Sequence, residues 1–539
     1  MIKKVQNITI FLLLSTFWLP NVLVAQSNKT GWESYEYVHD SNPWLHSNNA
    51  AGLYSFTVNS LSYAEVYFGK NNGKFTNYFQ SDNSFEYGGE VKSLYRLNPK
   101  TVFYGEVKYN RFEGKNMGGS SFIDPYKNPF NIVEFADSTR GDKALDTYRL
   151  TGGFSVELLP KLNIGAKLDY KASNYTKFKD LRHDNKEMDL TFSSGAIYRI
   201  FPFWEAGINY TYQRRVENIR FQSYGNKDQQ FNSLIDFGIF IGYQELFSTG
   251  SDYTKKDSKG EPLFEEHNGA SLQLNFTPTS QIQFLNELTA KWRDGYFGRR
   301  GTSYRVYTEH DSKIIEYRGN LSLLNRKNKH ILSFNINKES LINNENSFQK
   351  STLPNGETVI KHVAQTPILD KTIWKLRGAY TAYLGVENYL PTWILNINAA
   401  VNSMKQTVSF YPNYRKQDIN QWYAAVSASR NIIKSRNQYS FTLGFSYHSG
   451  GGNEKKDGTY DPSAQGQSKT VSLDRYIYRE FEYLTTEHIQ GNIGFRYSRL
   501  LPNKMKGYAQ FNYALTNAFS PQYIGKTFNE LSLSVGVGF

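Results

Sequence analysis

The last residues of the chain alternate with a period of two. Leu531, Leu533, Val535, Val537 and Phe539 are separated by Ser532, Ser534, Gly536 and Gly538. Side chains on a strand point alternately to opposite faces, so this segment reads as a strand with one apolar and one polar face. The pattern recurs in Tyr439–Tyr447, Trp393–Val401, Leu162–Tyr170, Trp204–Tyr212, Ala270–Phe276 and Leu332–Ile336. One such strand is common in soluble sandwiches. A long succession without intervening helical periodicity is not. The expected fold is all-β, a single closed antiparallel transmembrane barrel over residues 53–539.

Composition narrows the alternatives. The 539 residues include 40 Tyr and 37 Phe, yet only 39% are hydrophobic and only 5 are Met. A helical bundle wants aliphatic carbon, and disordered chains are depleted in rings. The absence of cysteine excludes disulfide scaffolds, iron–sulfur clusters and a thiol nucleophile. In a barrel the rings belong on the outward half of each strand and near its ends, where lipid chains meet headgroups. Tyr87, Tyr95, Tyr104, Tyr109, Tyr170, Tyr175, Tyr210, Tyr212, Trp292 and Tyr296 are the expected girdle.

The N-terminus reads as an address. Lys3 and Lys4 precede an apolar run, Pro20 breaks it, and small residues follow up to Ala25-Gln26. This is the layout of a secretory signal peptide over 1–25, cleaved between Ala25 and Gln26. About a dozen apolar residues cannot span a bilayer, which takes about 20. No later stretch is long and apolar enough either, so only a closed barrel could place this chain across a membrane. With a formal charge of +13, an exported protein of this kind would meet membrane lipid and lipopolysaccharide, not nucleic acid.

The connections between dyads fall into two classes. Short ones are Leu97–Lys100, Leu159–Lys161, Phe201–Phe203, Thr277–Thr279, Leu390–Thr392, Leu500–Lys504, Asn325–Asn328 and Lys434–Asn437. Long polar ones include Glu113–Leu145, Asn343–Asp370 and Gly450–Phe481. Outer-membrane barrels keep short turns at the periplasmic rim and long loops outside. Eight short turns give 18 strands. Ile235–Tyr243 also reads as a strand, and a ninth turn near Phe247–Gly250 would give 20, so the expectation is 18–20. A barrel this wide cannot be filled by its own side chains.

The C-terminal strand closing on Phe539 resembles the signature read by the barrel-assembly machinery of the outer membrane. The segment Asn42-Pro43-Trp44-Leu45-His46-Ser47-Asn48-Asn49-Ala50-Ala51-Gly52-Leu53, with the turn pattern, resembles a Bacteroidota family of outer-membrane β-barrels. That resemblance implies fold and cell outer membrane location, and no activity. The Asn-Pro…Asn-Ala-Ala-Gly element is also similar to the N-terminal segment of fatty-acid-transporter-class barrels, where it lies inside the barrel. Residues 26–52 would then be a periplasmic or lumenal segment. They are too few for the plug domain of a TonB-dependent receptor.

Chemistry is sparse. There is no metalloprotease, phosphate-loop or dinucleotide motif, and no catalytic, metal or cofactor residue is expected. His46-Ser47 and His448-Ser449 are adjacent on the chain, so as extended dipeptides their side chains diverge. His448 is expected to be a solvated residue at the end of a strand. Inward positions are more telling. Lys92, Arg96, Lys108, Arg149, Lys167, Lys291, Arg293, Arg215, Arg377 and Arg496 are expected to face the lumen. Glu106 and Asp169 are expected there too, with Asp236 and Glu387 among further acids. The signs nearly balance, whereas an anion pore would show a one-sided ladder. Two functions follow: a pore or transporter constricted by an inward-folded Glu113–Leu145, or a non-conducting barrel docking a surface lipoprotein or transport complex.

Overall fold

The computed structural model describes residues 31–539 except 226–228, 248–252, 255, 257–258, 355, 357, 465–469 and 503. Ala25 and Gln26 lie outside the described residues. Eighteen antiparallel strands form one sheet that closes on itself: the last strand, Thr527–Gly538, pairs with the first, Ser60–Gly73, in a register running from Tyr63↔Gly538 to Gly73↔Phe528. Phe539 adds two further backbone bonds to Ser62, of 2.8 and 3.0 Å. Closure leaves no edge strand, which is the condition for a sheet to sit in lipid.

The outward face is apolar. Ile208, Leu272, Leu443 and Val535 are 59%, 61%, 67% and 59% exposed, and Val107, Trp292, Ile315 and Phe441 continue the belt. So continuous an exposed apolar surface has no place in water. All eight short connections read from the sequence gather at one rim, with the start of the first strand and the end of the last.

Several expectations need correction. Among the described residues the wall has 18 strands: Trp204–Gln222 pairs directly with Glu261–Thr279, from Trp204↔Phe276 to Ile219↔Glu261, which leaves no place between them for two more, and residues 248–250 of the expected ninth turn lie outside the described residues. Ile235–Tyr243 is not one strand. It breaks at Gly238, Ile239 and Phe240, all at positive φ, into a hairpin of Asn232–Asp236 and Ile241–Leu246. That hairpin joins Asn131–Glu134 and Val471–Ser472 in a separate four-stranded sheet. Successive residues Leu234 and Ile235, and Ile239, Phe240 and Ile241, are buried, so both faces are covered, which a barrel wall does not offer. Two of the three long loops are also shorter than they read. Strands Asn328–Thr352 and Thr358–Leu384 carry the ladder through most of 343–370, and Asn437–Thr459 runs on through Gly450. Once above the lipid a strand can be polar on both faces, so alternation ends while backbone pairing continues.

Two of the expected girdle rings, Tyr104 and Tyr175, face inward. Tyr104 donates to Glu106 at 2.5 Å, and Tyr175 is buried beside His183. Of the expected lumen acids, Asp236 lies in the inner sheet and Glu387 in a short-rim turn, ion-paired with Lys327.

Candidate functional site

The bore is filled from both ends. From the short-turn rim, residues 31–59 thread inside the barrel. Asn49 explains the small residues Ala50, Ala51 and Gly52 that follow it. Its Nδ2 donates to the carbonyls of Ala196 and Ile208 and to Gln273 Oε1, each at 3.1 Å, while its Oδ1 accepts from the Ala51 amide at 3.0 Å. A Cβ on Gly195 would lie 2.4 Å from Asn49 Oδ1, and one on Gly165 2.5 Å from the Ala51 amide nitrogen. The wall carries glycine where the plug touches it. Trp44 Nε1 and the Tyr54 hydroxyl both donate to Glu205, at 2.8 and 2.7 Å.

From the other rim the long loops fold inward around the small sheet. Phe122, Phe130, Phe237, Phe240, Tyr253 and Ile477 are among the buried residues of the largest apolar core in the molecule. The loop helix Asp474–Thr485 lies across it. Arg475 donates to Asp137 at 3.2 Å and to the Phe135 carbonyl at 2.8 Å, and Glu482 accepts from the amides of Gln522, Tyr523 and Ile524.

The expected lumen charges sort by position around the wall. Lys92 and Lys108 pair with Glu90 at 2.7 and 3.2 Å, and Arg149 Nε lies 2.9 Å from Asp169. Lys167 stands over the Tyr104 ring, and Arg96 donates to the carbonyls of Tyr54 and Phe56. Arg215 reaches Glu187, Glu217 and Glu265 at 2.8, 3.1 and 3.2 Å, and Asn128 of the inward loop at 2.9 Å. Arg293 pairs with Glu265 and Glu339 and donates to the Lys127 carbonyl. Lys291 is the cross-strand partner of Gly269. Glu187 and Glu265 escaped the sequence reading, although their spacing from Asp189 and from the outward Leu272 puts them on inward positions. Between Asn83 and Asn346 the wall is therefore a lattice of ion pairs, buried around Arg215 and Arg293 and partly exposed around Glu90 and Asp169, and part of its work is to hold the plug loop.

The wall from Trp393 to the C-terminus differs. Its inward positions carry amides and hydroxyls: Asn398, Ser427, Ser446, Asn492, Asn512 and Ser532 are representative. Three cavities lie along it in succession. The first, about 400 Å³ at the short-turn rim, shares Asn512 with the second, of about 510 Å³. The second shares Asn398 and Tyr423 with the third, of about 620 Å³. Glu86 and Glu530 are the carboxylates of the middle cavity, and Arg377 is the one Lys or Arg lining the third. The first is the charged mouth of this lane: Arg496, against the Tyr508 ring at 3.8 Å, lines it together with Glu33, Glu36, Glu65, Lys504 and Lys506.

Rings close the far end of this lane. Tyr423 lies 4.5 Å from His448, His448 stacks on His488 at 4.4 Å, and Phe75 touches His488 and Tyr483 at 4.7 and 5.2 Å. His448 is thus part of a ring stack and not a solvated strand end, because its strand runs on to Thr459. Gln421 bonds the Leu484 carbonyl at 2.9 Å, fixing the helix over the lane.

The family model for the family of unknown function DUF6850 matches residues 50–539. The chain belongs to that family. No curated protein matches it in sequence. Among solved structures it is similar to a FadL homologue of Pseudomonas aeruginosa, at 11% identity and a TM-score of 0.32, with 96% of this chain and 98% of that chain covered. It is also similar to BauA, the ferric preacinetobactin receptor of Acinetobacter baumannii, at 9% identity and a TM-score of 0.36 (89% and 81% covered). A third is the outer membrane transporter YddB of Escherichia coli, at 7% identity and a TM-score of 0.37 (88% and 81% covered).

Proposed function

We propose that this DUF6850 chain resides in the outer membrane and carries a polar, uncharged solute along the amide-lined lane. The observation that carries this reading is the succession of three cavities along one wall, whereas the opposite side is largely ion-paired and keeps a cavity of about 380 Å³ beside the N-terminal segment. Amides and hydroxyls exchange hydrogen bonds with a neutral solute without a charge to desolvate. The ring stack at the far end offers flat apolar faces to a solute that has both, as a sugar does. The helix Asp474–Thr485 acts as the lid, and Arg475 and Glu482 are its pins.

Swelling of proteoliposomes in neutral sugars and in charged amino acids tests the reading. The unaltered protein should admit sugars slowly, and Arg475→Ala with Glu482→Ala should speed them several-fold over charged solutes of equal size. A barrel that stays silent with its lid unpinned, or that passes only charged solutes, contradicts it.

One observation favours a second reading. Strands Asn328–Thr352 and Thr358–Leu384 are 25 and 27 residues long, whereas a membrane crossing takes about 9–11. The tall hairpin would suit docking of a surface lipoprotein or a larger transport complex. Crosslinking from residues 347–350 in intact cells distinguishes this: a recovered partner supports docking, and none opposes it.

A further inference from the structure

His39, Asp40 and His46 stand together in the N-terminal segment, with a donor atom of each within 4.8 Å of the others. Asp40 and His39 end the helix Tyr35–Asp40, and His46 ends the tight turn Pro43–His46. His39 Nδ1 and His46 Nε2 approach the same carboxylate oxygen, Asp40 Oδ1, at 3.4 and 3.1 Å. Charge-assisted hydrogen bonds are shorter, about 2.7–2.9 Å. These two separations are close to the edge of a tetrahedron, about 3.3 Å, which metal–donor bonds of 2.0–2.1 Å imply, and the third, between the imidazole nitrogens, lies within 4.8 Å. The second oxygen, Asp40 Oδ2, accepts from the Tyr383 hydroxyl of the barrel wall at 2.8 Å. This is the kind of outer partner that orients a ligating carboxylate. The three side chains are 31%, 37% and 41% exposed, and Asp40 and His46 line a cavity of about 380 Å³. A fourth position therefore opens to water.

We propose that His39, Asp40 and His46 form a binding site for a divalent transition-metal ion of the zinc class, with Tyr383 as its positioning residue. Two imidazoles and a carboxylate suit zinc, nickel or copper and do not suit the oxygen-demanding calcium or magnesium. The metal would clip the helix to the turn that follows it and anchor both to the wall through Tyr383. The N-terminal plug would then be held by the ion as well as by Asn49. This inference does not depend on what the lane carries.

The test uses the full chain, extracted from membranes in detergent without a polyhistidine tag and titrated with zinc. One zinc per chain should bind, and cobalt in its place should give the intense visible absorption of a tetrahedral site. His39→Ala and His46→Gln should each weaken binding at least tenfold, and Tyr383→Phe about tenfold. Folding of each variant is followed by the resistance of the barrel to detergent denaturation without heating. The cobalt spectrum of the unaltered chain is read independently of any variant. No stoichiometric zinc at micromolar free ion, or binding that His39→Ala and His46→Gln leave unchanged, overturns the proposal.

Discussion

The two sides of the bore are made of the same strand pattern and do opposite things. On the side spanning Asn83–Asn346, inward positions carry paired charges, buried around Arg215 and Arg293 and partly exposed elsewhere, and several reach past the wall to hold a loop. On the side from Trp393 onward amides and hydroxyls predominate and a run of cavities remains, with charge mainly at the two ends: Arg415, paired with Asp457 and bound to the inner sheet, and the cluster around Arg496. The difference teaches what balanced charge is for. A buried ion pair is costly to break and tolerates no exchange of partners, so a charged wall makes a fixed surface. A neutral wall of short polar groups bonds to whatever polar molecule lies beside it, so it makes a path.

The largest expected effect lies on the charged side. Arg215→Met leaves the buried Glu217 without a cation and takes one of two from each of Glu187 and Glu265, which keep Lys171 and Arg293, and breaking a buried pair costs about 3–5 kcal/mol. The midpoint of thermal unfolding in detergent should fall clearly, with the loop 118–140 becoming protease-sensitive first. An unchanged midpoint would show that the network does not hold the plug.

Next comes the plug on the short-turn side. Asn49→Ala removes four hydrogen bonds at a buried position, at a cost of about 1–3 kcal/mol. Amide exchange in residues 42–56 should accelerate while the barrel strands stay protected.

The inner sheet gives a pH dependence. Burial pushes the Asp236 carboxyl up to about 7, and burial together with the nearby Asp236 pushes Glu480 up to about 7, with Lys371 opposing. Both hold their proton in the folded plug, so its stability is greatest below about pH 4 and is lost as pH rises through about 7. Protection of the helix Asp474–Thr485 against amide exchange, taken relative to the base-catalysed intrinsic rate at each pH, should therefore be lower at pH 8 than at pH 5. Glu480→Gln should flatten that dependence, and an unchanged dependence would remove Glu480 from the account.

The smallest stability effect is expected in the lane. Asn492→Ala should shift stability by no more than about 0.5 kcal/mol while slowing sugar entry. A large loss of stability there would make the lane a structural seam like the opposite wall.

Much of this was legible in the sequence. Alternation located the wall, and the eight short turns gave 18 strands, because both are local consequences of backbone geometry. Even the asymmetry was present in the residues: of the ten basic lumen positions read from parity, only Arg496 lies beyond Trp393. What stayed hidden was long-range. No spacing rule tells that Phe237–Ile241 folds back inside the bore, that His448 stacks on His488, or that Asp40 meets His46. Tyr104 and Tyr175 were misplaced because a ring near a strand end suits a girdle, while their parity with Glu106 and Lys177 puts them inside.

The chain has no native cysteine, so single cysteines report accessibility without background. Ser427→Cys and Ser532→Cys place a thiol in the lane. Ser271→Cys and Ser312→Cys place one at buried inward positions on the charged side. Labelling the folded barrel with a small water-soluble thiol reagent tests most directly whether one wall is a path and the other a seal. Rapid modification at 427 and 532, with 271 and 312 at least tenfold slower, is the predicted result. Equal rates on the two walls would contradict it.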